Sequence, residues 1–262
     1  MLQKIWSALN GETLMHTKLI TYDDGDTSLT GFLAWDEMRQ DRRPGIMVVH
    51  GSAGLDNHAK SRSQRLAEMG FVVFACDMFG DGVAGDRQRM LARIKELTGD
   101  PTRLCQRARA GIEVLASHPQ VDGRLAAVGY CFGGMTVLEL ARAGIELAAV
   151  VSVHGSLKTT RPAQTAAVKA KILVCHGALD PHVPASDVTG FMEEMNLAGV
   201  DYQFIVYGGA MHGFTHEDAA IFKAPGVAYH PLADARSSTA MQVFFDQVFA
   251  LRPAYGANPG AT

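Results

Sequence analysis

Three side chains of complementary reactivity fall along the chain in the order thiol, carboxylate, imidazole: Cys131, Asp180 and His212. Cys131 stands at the apex of Gly129-Tyr130-Cys131-Phe132-Gly133, between the apolar run Ala126-Ala127-Val128 and a helix-forming stretch from Met135 to about Ala143. Strand, sharp turn and helix with a reactive residue at the turn has the form of a nucleophile elbow, here with Cys in the place of Ser. The glycines answer to sterics. The apex is held in a strained backbone conformation, and side chains at 129 and 133 would collide where strand and helix cross. The helix that follows turns its positive dipole end toward the sulfur, which favours the thiolate. A G-x-C-x-G pattern alone also fits a buried cysteine in a tight turn, so the reading depends on partners.

Asp180 lies in His176-Gly177-Ala178-Leu179-Asp180-Pro181-His182-Val183-Pro184, after an apolar run at 171–176, in a loop stiffened by two prolines. His212 lies in Tyr207-Gly208-Gly209-Ala210-Met211-His212-Gly213-Phe214, where small residues can bring an imidazole over a sheet. Singly, the first reads as a turn-capping aspartate and the second as a loop histidine. Together with the elbow they give the α/β-hydrolase order of nucleophile, acid and histidine. Triad logic then assigns attack to Cys131, proton movement to His212 and orientation of the imidazole to Asp180. The oxyanion hole is expected from the backbone N–H groups of Phe132 and Ser52, the latter in the small-residue loop His50-Gly51-Ser52-Ala53-Gly54.

The elements around these residues alternate. Two β-rich arms at 16–22 and 27–34 meet at Asp23-Asp24-Gly25-Asp26, a hairpin signal. Buried strands are predicted at 45–50, 71–76, 124–128, 147–153, 171–176 and 202–206, and helices at about 59–69, 86–97, 101–117, 185–198 and 233–250. This predicts a doubly wound, mostly parallel sheet of the α/β-hydrolase fold with an N-terminal antiparallel hairpin. In such sheets ligands bind outside the carboxyl ends of the strands, where Cys131, Asp180 and His212 fall. One domain is expected over 15–250, with an N-terminal extension at 1–14 that is either a docked helix or foreign sequence, and a frayed tail at 251–262.

Of 262 residues, 47% are hydrophobic, enough for one sizeable core, and the net charge of -3 is carried without runs of like charge. That balance argues against nucleic acid or an anionic membrane as partner, and no stretch is long enough to span a bilayer. Four scattered cysteines (Cys76, Cys105, Cys131, Cys175) do not form a disulfide framework, so a reducing cytoplasm is expected. The expected partner is a small-molecule ester, bound by a monomer or homodimer without cofactor. His212 and His216 have i,i+4 spacing, but no Glu-containing zinc motif surrounds them, so no metal is expected.

The chain resembles the dienelactone hydrolase family over roughly Met15 to Phe249. The resemblance rests on His50-Gly51 with Gly54-Leu55, Asp77-Met78-Phe79-Gly80, Gly129-Tyr130-Cys131-Phe132-Gly133-Gly134, the Asp180 loop and Gly209-Ala210-Met211-His212-Gly213-Phe214. It implies an α/β-hydrolase fold, a cysteine nucleophile and ester or lactone hydrolysis, with phosphotriester hydrolysis in some members. Two departures bear on substrate. Muconate-type members carry a Glu at the start of the oxyanion loop, where this chain has Gly51 or Ser52. They also hold the substrate carboxylate with two arginines, of which one corresponds loosely to Arg89 and the other falls at His216. Small neutral esters, aryl esters among them, therefore fit better than acidic dienelactones. Phe79 and Phe214 are candidates for the substrate pocket, with core packing as the competing account. His50, His154 and His176 end strands and either line the site or serve tight turns. A silent binding module and a thiol redox protein are the alternatives from other classes. The first is opposed by the filled triad, the second by the lack of a C-x-x-C pair.

Overall fold

The computed structural model describes residues 14–80, 83 and 85–250. The residues at 1–13 and 251–262, which include most of the expected extension and the tail, lie outside it. The strands are β1 (Met15–Asp24), β2 (Thr27–Asp36), β3 (Arg43–Val49), β4 (Val72–Cys76), β5 (Val121–Tyr130), β6 (Ala149–Val153), β7 (Lys171–Gly177) and β8 (Tyr202–Tyr207). The helices are α1 (Asn57–Glu68), α2 (Arg87–Gly99), α3 (Pro101–Ala116), α4 (Phe132–Arg142), α5 (Ala185–Ala198) and α6 (Pro231–Val248). The strands form one sheet in the order β1-β2-β4-β3-β5-β6-β7-β8. β1 and β2 form an antiparallel hairpin, β2 runs antiparallel to β4, and every pairing from β4 to β8 is parallel.

Period-2 alternation splits the strand side chains between two cores. Met47, Val49, Phe74 and Val150 pack on one face of the sheet, and Ile46, Val48, Val73 and Val151 on the other. α3, α4 and α5 cover the first face, through residues such as Leu104, Val137 and Phe191. α1 and α6 cover the second, through Leu66, Phe244 and Phe245. Burial on both faces is why β3 and β4 read as unbroken apolar runs rather than alternating ones.

From β3 the chain goes to β4 on one side, then returns to β5 on the other. Loops leaving β3 and β5 therefore diverge over adjacent strands and open a crevice at the carboxyl edge. One boundary differs usefully from the sequence reading: α4 begins at Phe132, directly after Cys131, not at Met135. The sulfur thus sits at the first free N–H groups of the helix, where the dipole acts most strongly.

A brace links the hairpin to this crevice. The Tyr22 hydroxyl, in β1, donates to the Asp77 carbonyl (3.1 Å) and accepts from the Asp77 N–H (3.0 Å). The Asp77 carboxylate accepts from Thr30 in β2 and from the N–H groups of Phe79 and Gly80.

Candidate functional site

At the end of β5 the elbow has the crowding that its glycines imply. A Cβ on Gly129 would lie 1.9 Å from the Gly133 carbonyl oxygen, and one on Gly133 would lie 2.1 Å from that of Val49. Both contacts are with backbone, so no rotamer relieves them. Cys131 has φ 54°, in the left-handed region that non-glycine residues seldom occupy. Strain of this kind costs of order 1–3 kcal/mol and persists only when the surroundings enforce it.

The structure brings Cys131, His212 and Asp180 into one hydrogen-bonded line. His212 Nε2 lies 3.0 Å from Cys131 Sγ, and His212 Nδ1 lies 2.8 Å from Asp180 Oδ2. Asp180 Oδ1 accepts the His182 N–H at 2.8 Å, so the carboxylate is held at both oxygens and its side chain is fully buried. Burial opposes the charge on His212, but the bonds to Asp180 and Cys131 outweigh it and push the imidazole up to about 10. Burial likewise opposes the thiolate. The His212 bond and charge, with the backbone N–H groups of Phe132 and Ser52, nevertheless bring Cys131 below the ordinary thiol range. The other three cysteines are raised, each chiefly by burial, Cys175 to about 12. One thiol of four is thus prepared to ionise.

The two N–H groups expected to form the oxyanion hole, Phe132 and Ser52, both act on the sulfur. His50 fixes the Ser52 loop from behind. Its ring is buried, Nδ1 lies 2.7 Å from the Gly51 carbonyl and Nε2 accepts the Met78 N–H at 3.1 Å. Those two bonds require the neutral Nδ1–H tautomer, and burial lowers the His50 pKa accordingly.

His154 holds Cys131 from the opposite side. The Cys131 N–H is shared between the Val153 carbonyl (3.0 Å) and His154 Nδ1 (3.1 Å). With Nδ1 accepting, the proton is on Nε2, which donates to Thr215 Oγ1 at 2.9 Å. Thr215 lies three residues beyond His212 and also meets His58 Nε2 at 3.2 Å. Arg62, paired with Asp234, donates to the Thr215 carbonyl and to His58 Nε2. His154 also has positive φ, 41°. Its charged form is strongly disfavoured, by burial first and then by the neighbouring His212 and His58. A neutral imidazole thus ties the elbow to the loop of the catalytic-type histidine.

A cavity of about 700 Å³ opens on Cys131 and His212. His216 lines it, as the sequence suggests. Three other assignments are corrected. Arg89 is exposed and does not line the cavity; Arg87, earlier on the same helix, does. The two residues are about 200° apart around the helix, so only one can face inward. Phe79 and Phe214 lie behind the cavity wall: Phe79 packs on His50 and Phe132, and Phe214 on His154 and Tyr207. His176 is buried against Phe204 and does not line the cavity.

His216 Nε2 lies 3.1 Å from Asp56 Oδ2. Asp56 is a wall carboxylate that sequence reasoning missed, although the Asp-x-x-Ala start of α1 marks it as an N-cap, accepting from the Ala59 N–H at 3.0 Å. Against its burial, His216 and that N–H keep it ionised below the usual carboxylate range. Asp56, His58 and His216 each bring one potential metal-ligating atom within 4.8 Å of the others. The two imidazoles are stacked, 4.7 Å apart and 13° from parallel, so their in-plane lone pairs run side by side instead of converging. A metal bound at about 2.0–2.1 Å to both nitrogens needs convergence. The three residues form a polar part of the cavity wall.

The dienelactone hydrolase family matches residues 29–249. Among solved structures, "m3DLH" is 42% identical with a TM-score of 0.85, covering 90% of this chain and 99% of that one. The dienelactone hydrolase-like promiscuous phosphotriesterase P91 from metagenomic libraries is 39% identical with a TM-score of 0.84, at the same coverage. A Caenorhabditis elegans protein, K02A2.1, is 36% identical over 151 residues, 56% of this chain and 96% of that one. Sheet order and the extent of these matches agree: this chain is a hydrolase and belongs to the dienelactone hydrolase family.

Proposed function

We propose that the chain hydrolyses neutral carboxylic esters, aryl esters among them, or lactones, through a thioester on Cys131. The observation that carries this is the unbroken line Sγ–Nε2, Nδ1–Oδ2 at 3.0 and 2.8 Å. The Cys131 thiolate attacks the ester carbonyl, and the Phe132 and Ser52 N–H groups hold the developing oxyanion. Imidazolium His212 gives its Nε2 proton to the departing alkoxide or phenolate. Water then adds to the thioester, His212 takes its proton, and the thiolate leaves with the carboxylic acid as product. Asp180 keeps the His212 tautomer and ring orientation throughout.

The charged wall residues, Asp56 and Arg87, have opposite signs, and Asp56 is already engaged by His216. An acidic substrate finds no two-cation clamp there, and an unpaired buried charge costs several kcal/mol. The test is a matched pair at pH 7.5, a neutral ester and its carboxylate-bearing analogue with the same leaving group. The neutral ester is expected to lead by at least about tenfold in kcat/KM, roughly 1.4 kcal/mol. Faster turnover of the anion overturns the neutral assignment and makes Arg87 the first residue to replace.

Neutral phosphotriesters are proposed as companion substrates. P91, described as a promiscuous phosphotriesterase, supports this by similarity, and the chemistry is parallel. Sulfur attacks phosphorus, an aryl oxide leaves, and water must later release the phosphoryl group from Cys131. A burst of aryl oxide equal to the enzyme, with no later turnover, would reduce this activity to single-turnover phosphorylation.

A further inference from the structure

Among the exposed large apolar side chains of the described residues, two, Leu91 and Ile221, line the cavity. α2 turns one stripe inward, with Met90, Leu91 and Ile94 at i, i+1 and i+4 facing the space before Cys131. Leu91 keeps 55% of its surface exposed, and Leu97 is the one fully buried residue of that helix. Across the cavity the short 3₁₀ turn Ala219–Phe222 presents Ile221, 67% exposed, beside Phe222. Two elements 130 residues apart in the chain thus turn exposed apolar side chains into one space. Scattered exposed leucines need no explanation, but a facing pair of apolar surfaces around a reactive thiol is the form of a ligand site. The volume agrees. About 700 Å³ is within the range of pockets that enclose a ligand of some tens of atoms, and an acetyl group leaves most of it to water.

We infer that the ester cleaved at Cys131 carries a bulky apolar group, of the size of an octanoyl chain or a fused bicyclic aryl ring, lying between α2 and the 219–222 turn. The inference rests on the proposed esterase reading and narrows it: the substrates are neutral but not small. Solvent-facing Leu91 and Ile221 are the specificity-determining residues, because their surface is covered only when such a group is present.

The experiment is a chain-length series of p-nitrophenyl esters, acetate to octanoate, with phenyl against 2-naphthyl acetate as the series that enlarges the alcohol side. In one series or both, kcat/KM is expected to rise at least about tenfold with added apolar surface. Which series rises tells whether the acyl or the alcohol part lies against α2. In the double variant Leu91→Asp/Ile221→Asp the ratio of large to small substrate should fall about tenfold. Leu197→Asp, on an 83% exposed site of α5 outside the cavity, should leave that ratio where it was. A flat response in both series, or an unchanged ratio in the double variant, overturns the inference while leaving the esterase reading intact. Failure to turn over any ester of either series would instead remove the esterase reading.

Discussion

The rim formed by the ends of β5, β7 and β8 and the wall formed by α2 face the same cavity but are held in different ways. On the rim, polar atoms are held by directional bonds: Asp180 at both oxygens, His212 at both nitrogens, the Cys131 N–H by two acceptors. The backbone there is strained at Cys131 and His154. α2 by contrast is held by its Asp86 N-cap, one Arg93 bond to the Phe79 carbonyl, and apolar packing of Leu97, Met90 and Ile94. Bond-making needs reacting atoms placed to a few tenths of an ångström, and directional bonds supply that. Covering an apolar group needs only area, which a helix seated by apolar packing provides. Changes on the rim should therefore act on kcat, and changes on the wall on substrate choice.

The sharpest test of that division is Cys131→Ala, which should lower kcat/KM for any ester by at least about a thousandfold with little change in Tm. A variant that keeps a tenth of the activity would mean that the rim is not where the chemistry occurs. His212→Ala comes next. His212 is a cause of the lowered Cys131 pKa, so its removal should raise that pKa. The thiolate fraction grows as pH rises through the pKa, so the iodoacetamide alkylation profile should move to higher pH and the rate at pH 7 should fall. A profile that does not move would break the coupling.

His154 sharpens the comparison because it can be taken apart. Asn at 154 tolerates positive φ and can still accept the Cys131 N–H, but it does not reach Thr215. Thr215→Val removes the same link from the other end. Each should lower kcat by about tenfold, leave KM nearly unchanged and shift the acid limb of the pH–rate profile. The double variant should cost no more than either single change if one link is being cut. Loss of Tm without these kinetic signs would make His154 a packing residue only. Cys175→Ala should have the smallest effect: about 1–2 kcal/mol of stability from a small cavity, with kcat kept. Its raised thiol lies 3.7 Å from the Tyr207 hydroxyl, away from the cavity lining.

What was legible in the sequence follows the same line. Cys131, Asp180 and His212 each sit in a turn of small residues directly after an apolar strand, so local signals gave both their context and their order. The N–H groups proposed for the oxyanion hole were suggested by Gly51, Ser52 and Gly133, which mark where backbone must come close. The inward residue of α2 was a matter of helical phase. The stripe 87, 90, 91, 94 and 98 repeats at helical spacing and leaves Arg89 outside, a phase that a family correspondence at one position does not carry. Phe79 and Phe214 were correctly placed near the site loops, yet which side of a loop an aromatic ring packs on depends on tertiary contacts. His154 and Thr215 are 61 residues apart, and Asp56 and His216 are 160 apart. No local pattern joins such pairs, and none encodes the size of a space.

The β1–β2 hairpin lies at the sheet edge farthest from β8, where it could pass for trim. Tyr22 locks it to Asp77, the next residue Met78 donates to His50, and His50 grips Gly51, one position before Ser52. These contacts make one continuous path from the hairpin to the Ser52 loop, with the Thr30 bond to Asp77 beside its first link. A sheet edge away from the cavity is thereby joined to the N–H group proposed to receive an oxyanion. Trimming or regrafting the hairpin should therefore lower kcat at a distance, whereas Tyr22→Phe cuts the hydroxyl link alone and leaves the Thr30 bond to Asp77 in place.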